Sequence, residues 1–151
     1  MSGEIPTNPE HVKPRESEHP PVERVVIIDD EPAVGRVVER VVSMASKKQA
    51  TITRYEQAGA ALTSLRTLAE EHPEQLPQVI ITDRDLDAGV KGEELMLQIR
   101  EIPGLADVRF IGLTGNDEGR DAMQAAGMEL ALLKPFKNEE LINHLFPKKP
   151  A

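Results

Sequence analysis

Residues 25–30 read VVIIDD, four consecutive β-branched apolar residues that end in two carboxylates. A short, continuous apolar run of this kind is typical of a strand buried on both faces, as in a parallel sheet. Pro32 suits the first turn of a following helix, where its missing N–H costs nothing. Apolar residues then recur at positions 34, 37, 38, 41, 42 and 45, which is the spacing of one helical face. The stretch therefore predicts a strand followed by an amphipathic helix.

The same strand–helix unit recurs four more times along the chain. The further strands are predicted over residues 50–55, 79–82, 109–113 and 130–133. The helices that follow them carry apolar faces over residues 58–68, 93–102, 117–126 and 138–146. Gly127 is predicted to end the fourth helix and Asn138 to cap the fifth. Five alternations in about 120 residues predict an α/β fold, a doubly wound five-stranded parallel sheet with helices on both faces.

The first 24 residues differ in composition from the rest of the chain. Five of the 12 prolines fall there, among charged side chains and few apolar ones. Such a segment cannot offset the entropy of its own ordering by burying apolar surface. We therefore expect a disordered, proline- and charge-rich N-terminal arm over residues 1–24. One folded domain is expected over residues 25–147, with a short tail over 148–151.

Composition excludes several classes of function. The 151 residues include 18 basic and 26 acidic side chains, a net charge of −8, which disfavours a nucleic-acid or anionic-membrane surface. The absence of cysteine excludes disulfides, thiolate metal sites and a cysteine nucleophile. The sequence contains no apolar run of about 20 residues and no secretory h-region. We expect a cytoplasmic protein without nucleic-acid or membrane partners.

Charged and polar side chains follow four of the five predicted strands, at the point where each strand ends. They are Asp29 and Asp30 after the first strand, Asp83 after the third, Thr114 after the fourth, and Lys134 with Pro135 after the fifth. In an open parallel sheet, ligands bind at the carboxyl ends of the strands. A single aspartate at a strand end is usually a turn or capping residue. The prediction of a binding site therefore depends on polar side chains at the ends of four strands together.

Three carboxylates packed at one edge of a sheet repel one another unless a cation joins them. An all-oxygen set with few protein groups suits Mg²⁺, which keeps several waters and binds phosphate. Lys134 would add a point charge for a phosphoryl oxygen, and Thr114 would add a hydroxyl donor. Asp83 can then act as a nucleophile that forms an acyl phosphate.

Four motifs in this order resemble the receiver domain of bacterial two-component response regulators, which has a flavodoxin-like fold. They are VVIIDDEP at residues 25–32, IITDRDL at 80–86, GLTG at 112–115 and LLKPF at 132–136. The resemblance covers approximately residues 25–146.

The resemblance implies a role for each matching residue. Asp83 would be the phosphoacceptor, and Mg²⁺ would bind Asp30, Asp83 and the backbone carbonyl of Asp85, with Asp29 holding the metal's shell indirectly. Thr114 and Lys134 would contact the phosphoryl group. The supporting residues would be Pro135, in a cis peptide, together with Gly115 and Asn116. Asp85 and Asn116 occupy the positions that tune the lifetime of the phosphoryl group in this family.

The chain also departs from the receiver pattern. Leu86 and Asp87 stand where receivers usually have Met and Pro, and Gly92 lies nine residues beyond Asp83 instead of eight. This spacing predicts one extra residue in the loop. Ala131 replaces the aromatic residue that most receivers carry in the fifth strand, so half of the usual switch is missing.

The resemblance implies a phosphoacceptor in a phosphorelay, not an enzyme, with a histidine kinase or a histidine phosphotransfer protein as phosphodonor. Few residues follow the last helix, so we expect no output domain and a signal passed to an unidentified target protein. Two alternatives remain open. IITDRDLD also resembles the nucleophile motif of haloacid-dehalogenase phosphatases, with Asp83 as nucleophile and Asp85 as acid/base. A phosphorylation-independent binding module is the other alternative.

Overall fold

A computed structural model describes residues 21–147 as alternating strands and helices. The strands are β1 (Arg24–Ile28), β2 (Thr51–Tyr55), β3 (Val79–Asp83), β4 (Arg109–Thr114) and β5 (Leu130–Leu133). The helices are α1 (Pro32–Ala45), α2 (Ala58–Glu71), α3 (Gly92–Ile99), α4 (Asp117–Ala126) and α5 (Asn138–Leu145). The predicted tail, 148–151, and residues 1–20 of the predicted arm lie outside the described residues.

All five strands form one parallel sheet in the order β2-β1-β3-β4-β5. Strand β2 is added on one side of β1, and β3, β4 and β5 are added on the other side, so a crevice opens at the carboxyl ends of β1 and β3. The predicted doubly wound parallel sheet is confirmed.

Two apolar clusters cover the two faces of the sheet. One cluster joins α2, α3 and α4 to the sheet, and its largest fully buried side chain is Phe110. The other joins α1 and α5 to the opposite face through alternate strand residues such as Ile27 and Ile81. Because both faces are covered, β3 and β4 are buried along their whole length.

The ordered fold begins earlier than the predicted boundary at Val25. Strand β1 starts at Arg24, and Val22 packs against the α1/α5 cluster. The side-chain oxygen of Gln78 accepts hydrogen bonds from the backbone N–H groups of Glu23 (2.8 Å) and Arg24 (2.6 Å). This polar contact with a residue 54 positions away could not be read from the composition of the arm.

Two predicted helix boundaries were wrong. Helix α3 ends at Ile99, not at residue 102. The N–H groups of Glu101 and Ile102 donate to carbonyls three residues back instead of four, and Pro103 disfavours helical geometry at Ile102. Asn138 is the first residue of α5, not its cap. The capping position is Lys137, whose backbone N–H donates to the Glu140 carboxylate at 3.1 Å. Gly127 does end α4, in the left-handed conformation.

No helix within residues 21–147 is long and apolar enough to cross a bilayer.

Candidate functional site

The carboxyl ends of β1 and β3 bring three aspartates together. Asp29 and Asp30 follow β1, and Asp83 is the last residue of β3, the neighbouring strand. One carboxylate oxygen from each lies within 4.8 Å of the others. Asp29 and Asp83 are buried, at 3% and 6% exposure, whereas Asp30 is exposed. The cluster therefore opens to solvent on the side of Asp30.

Lys134 supplies positive charge to this cluster. Its Nζ lies 2.8 Å from Asp83 Oδ1, and 3.9 Å from both Asp29 Oδ2 and Glu31 Oε1. The lysine follows β5, and its backbone N–H donates to the carbonyl of Thr114 at 2.7 Å. The ammonium is thus directed into the crevice across the end of β4.

One lysine does not balance the buried acids. Burial raises the pKa of Asp29 to about 6, with a further rise from Asp83, although a hydrogen bond from the Glu31 backbone opposes it. Burial also raises the pKa of Asp83, against the hydrogen bond and charge of Lys134. Burial disfavours the charge of Lys134, but its hydrogen bond with Asp83 outweighs this, so its pKa is raised. The site therefore favours the binding of additional positive charge.

Thr114 places a hydroxyl beside the acids, at the end of β4. Its side chain is 2% exposed, and the hydroxyl oxygen is buried without a hydrogen-bond partner among the described residues. A Cβ atom added at Gly119 would lie 2.2 Å from that oxygen, so only glycine allows α4 to begin so close to it. The hydroxyl therefore lies directly between the strand end and the first turn of α4.

The loop after Asp83 folds back on itself, and this arrangement accommodates its unusual length. Asp85 and Lys91 form an isolated antiparallel bridge, and their side chains form an ion pair. Ala88 and Gly89 both have positive φ angles, 58° and 74°, which turn the chain. Asp87, in the place of the usual proline, accepts a hydrogen bond from the backbone of Ala58 at 2.7 Å. The loop is therefore tied to the start of α2.

Gly92 closes this loop by lying directly against β3. Its N–H donates to the Arg84 carbonyl at 2.7 Å. A Cβ atom at this position would lie 2.6 Å from the Asp83 carbonyl oxygen. The sequence spacing identified this glycine, and the close approach gives its physical reason.

The other predicted residues lie just after the ends of β3, β4 and β5, and their contacts are local. The Asp85 side chain is 62% exposed and pairs with Lys91, a contact that lowers the pKa of Asp85. The Asn116 side chain accepts from the Gly119 backbone at 2.7 Å and caps α4. The peptide between Lys134 and Pro135 is cis, and Gly115 is exposed beside Thr114.

Three side chains near the site were not identified from the sequence. Glu31 adds a fourth carboxylate near Lys134, and its position directly after the two aspartates was a signal that could have indicated this. Arg84 and Glu93 form an ion pair at 3.0 Å, with both side chains mostly buried. Their separation of nine residues across an irregular loop offers no periodic pattern that would have predicted it.

Small residues and methionines occupy the place of the missing aromatic residue. Ala131, 5% exposed, pairs in register with Gly112 of β4. A Cβ atom on Gly112 would lie 2.4 Å from the Met123 sulfur and 2.8 Å from the Met128 sulfur. These two thioethers fill the space above β4 and β5 where an aromatic ring would otherwise pack.

Comparison with known proteins identifies the family. The model of the response regulator receiver domain matches residues 25–146, and the chain belongs to this family. The predicted resemblance is thereby confirmed. Comparison with curated proteins gives no match.

Solved structures show the same fold. A protein described as a response regulator from Chloroflexus aurantiacus is 26% identical, with a TM-score of 0.67, covering 83% of this chain and 98% of that one. The Vibrio cholerae chemotaxis protein CheY4 is 21% identical (TM-score 0.65, 82% and 96% covered). A CheY-like receiver domain protein from Methanospirillum hungatei is 18% identical (TM-score 0.63, 81% and 89% covered).

Proposed function

We propose that this receiver domain accepts a phosphoryl group on Asp83 in a Mg²⁺-dependent reaction and passes the signal to another protein. The observation that carries the proposal is the contact between the buried Asp83 carboxylate and Lys134, 2.8 Å apart, beside two further aspartates. Transfer of a phosphoryl group to a carboxylate requires a nucleophilic carboxylate, a metal site and a fixed cation close together.

The acids fit a divalent cation. Asp29 Oδ2 is buried without a hydrogen-bond partner among residues 21–147, and hard carboxylate oxygens are the ligands that Mg²⁺ prefers. Asp30 and Asp83 would hold the ion, with the backbone carbonyl of Asp85, and Asp29 would hold its water shell. When bound, the ion supplies positive charge that offsets the negative charge of the phosphoryl oxygens.

In the transfer step, an Asp83 carboxylate oxygen attacks phosphorus and forms a P–O bond. The bond from phosphorus to the donor breaks in the same displacement, and its electron pair leaves with the donor group. Lys134 stabilises the negative charge on the transferring oxygens. The Thr114 hydroxyl, which has no partner in the described structure, can donate a hydrogen bond to one of them.

The phosphodonor in this proposal is a histidine kinase or a histidine phosphotransfer protein. The phosphorylated domain then passes the signal to a target protein of unknown identity. Phosphorylation adds roughly −1.5 to −2 charges to a site that is already acidic. We infer that Thr114 moves towards the new phosphoryl group and that α4, which begins at the same hydroxyl, shifts with it. The cytoplasmic location expected from the sequence remains a prediction.

Incubation with acetyl phosphate tests the proposal without a partner protein. Intact mass should rise by one phosphoryl group in the presence of Mg²⁺ and remain unchanged in EDTA. Asp83→Asn should remain unmodified, whereas Asp85→Asn, the matched control two residues away, should be labelled. If wild type stays unmodified in Mg²⁺, the proposal fails, and the phosphorylation-independent binding module becomes the favoured alternative.

The same samples distinguish the phosphatase alternative. A haloacid-dehalogenase enzyme would turn over a generic phosphomonoester many times, and it would need the Asp85 carboxyl as acid/base. In this structure that carboxylate is paired with Lys91. We therefore expect no steady turnover of such an ester. Sustained release of phosphate that is lost in Asp85→Asn would contradict the receiver proposal.

A further inference from the structure

An exposed apolar groove runs between α1 and α5, on the outer side of the α1/α5 cluster. Val37 and Met44, at 57% and 68% exposure, are two of the three large apolar side chains in residues 21–147 that are mostly exposed. They line a groove of about 450 Å³ with Ile142 of α5 and with two arginines, Arg36 and Arg40. An apolar strip flanked by cations suits an acidic peptide segment.

The arginines of this groove are available for a partner. Within residues 21–147, neither Arg36 nor Arg40 forms an ion pair, and both are exposed. Glu39, the acid between them, is already held by Arg54, with 2.6 Å between Oε1 and Nε. Among the described residues, the two positive charges of this face therefore have no ion-pair partner.

The N-terminal segment joins the fold beside the groove. Val22 packs against the same apolar cluster as α1 and α5. Because α1 runs antiparallel to β1, its last turn, which carries Met44, lies at the edge of the sheet where β1 begins. The first described residues therefore lie at the end of the sheet where the last turn of α1 closes the groove.

The composition of residues 1–20 predicts no fold of their own, but the domain can supply the surface that they lack, and we propose that residues 1–20 occupy the groove between α1 and α5. The segment carries four glutamates against one lysine and one arginine, so its charge is −2 and opposite to that of the groove. Two of these glutamates, Glu16 and Glu18, lie close to the point where the segment joins the fold. In the proposed arrangement, Glu18 would pair with Arg40, and Glu16 would pair with Arg36, one turn closer to the start of α1.

The chain is long enough for this arrangement and runs in the right direction. At about 3.3 Å per residue, Glu18 and Glu16 reach roughly 13 and 20 Å from Val22. At 1.5 Å per residue along α1, Arg40 and Arg36 lie roughly 8 and 14 Å from the last residue of the helix. The order of the acids along the segment thus matches the order of the arginines along the groove. The proposal does not depend on phosphorylation of Asp83.

A single spin label tests this proposal in the full chain. The sequence has no cysteine, so Ser17→Cys provides the only attachment site for a nitroxide. In ¹⁵N spectra, the label should cause loss of the amide signals of Val37, Met44 and Ile142. Leu97, on the opposite side of the sheet, should keep its signal. Loss restricted to residues next to Pro21, or spread evenly over the surface, would overturn the proposal.

Charge reversal and mixing complete the test. Arg40→Glu should restore the groove signals of the labelled protein, whereas Arg66→Glu, an exposed arginine on α2, should not. Equal effects of the two variants would contradict the proposed pairing. Spin-labelled ¹⁴N protein mixed with ¹⁵N protein that carries no spin label should cause no loss of the groove signals. If the groove signals are lost in this mixture, a second copy occupies the groove, and the intramolecular arrangement is wrong.

Discussion

The two edges of the sheet carry charged clusters that differ in how well their carboxylates are paired with positive charge. At the amino-terminal edge, Arg109 pairs with Glu129 at 2.8 Å, and His144 Nε2 lies 2.5 Å from the same carboxylate. Burial alone would raise the pKa of Glu129, but these partners outweigh it and lower the pKa to about 2. At the carboxyl-terminal edge, burial raises the pKa of Asp29 to about 6.

This difference separates a cluster that is paired within the folded chain from one that we propose to be a cation site. The carboxylate at the first edge has its full set of partners in the folded chain. The acids at the second edge share one lysine, so a bound cation would relieve their mutual repulsion. Raised carboxyl pKa values in a crevice indicate a site that is arranged for function at a cost in stability. Substitutions at the two edges should therefore have opposite effects.

The largest effect is expected from removing the lysine of the acidic edge. Lys134→Met should slow phosphorylation by acetyl phosphate on the order of 10²-fold, the usual cost of losing one preorganised charge partner. The rate of mass increase in saturating Mg²⁺ measures this effect. Lys137→Met, an exposed lysine three residues later, is the matched control and should react at the wild-type rate. A similar slowing in both variants would show that Lys134 has no specific role.

The second-largest effect is a loss of folding stability on substitution at the amino-terminal edge. Glu129→Gln should lower the free energy of unfolding at pH 7 by about 2 kcal/mol, because it leaves the Arg109 charge, 10% exposed, without its counter-charge. Urea unfolding measures the change. Glu139→Gln, an exposed glutamate on α5, should change stability by less than about 0.5 kcal/mol.

The pH dependence of this effect has a definite sign. The folded-state pKa of Glu129 is depressed from 4.5 to about 2, so its stabilisation is fully present above about pH 4.5 and is lost as the pH falls towards 2. The stability difference between wild type and Glu129→Gln should therefore shrink over that window. A difference that stays constant down to pH 2.5 would contradict the assignment.

A smaller effect of opposite sign is expected at the acidic edge. Asp29→Asn should raise the free energy of unfolding by about 1 kcal/mol in EDTA at pH 7.5, since it removes a buried negative charge. The asparagine oxygen can still accept the hydrogen bond from the Glu31 backbone, which is 2.8 Å in wild type. Urea unfolding in EDTA tests this prediction. Lower stability of the variant would show that the acids are already balanced without a cation.

Sequence patterns predicted the parts of this molecule that depend on local periodicity and on sheet topology. The run VVIIDD predicted β1, and the rule that the carboxyl ends of parallel strands meet at one edge predicted that Asp83, Thr114 and Lys134 lie close together. Short, regular units leave little choice of topology, so a few strand ends were enough to locate the site.

Contacts that depend on irregular backbone could not be predicted in this way. The pairing of Asp85 with Lys91 requires the positive φ angle of Ala88, a conformation that alanine rarely adopts. The contact between Arg109 and Glu129 joins residues 20 positions apart through the packing of β4 against β5. No local signal indicates either contact, because each is determined by the fold that surrounds it.

The most direct test of the difference between the two edges is the stability of the protein as a function of Mg²⁺ concentration. Ligand binding to the folded state should raise the unfolding midpoint of wild type, and Asp30→Asn should lose most of that rise. The unfolding midpoint of Glu129→Gln should be lower than that of wild type without Mg²⁺, and Mg²⁺ should raise it by the same amount as in wild type. A wild-type midpoint that does not respond to Mg²⁺, or an equal response in Asp30→Asn, would contradict the claim that the acidic edge is a cation site.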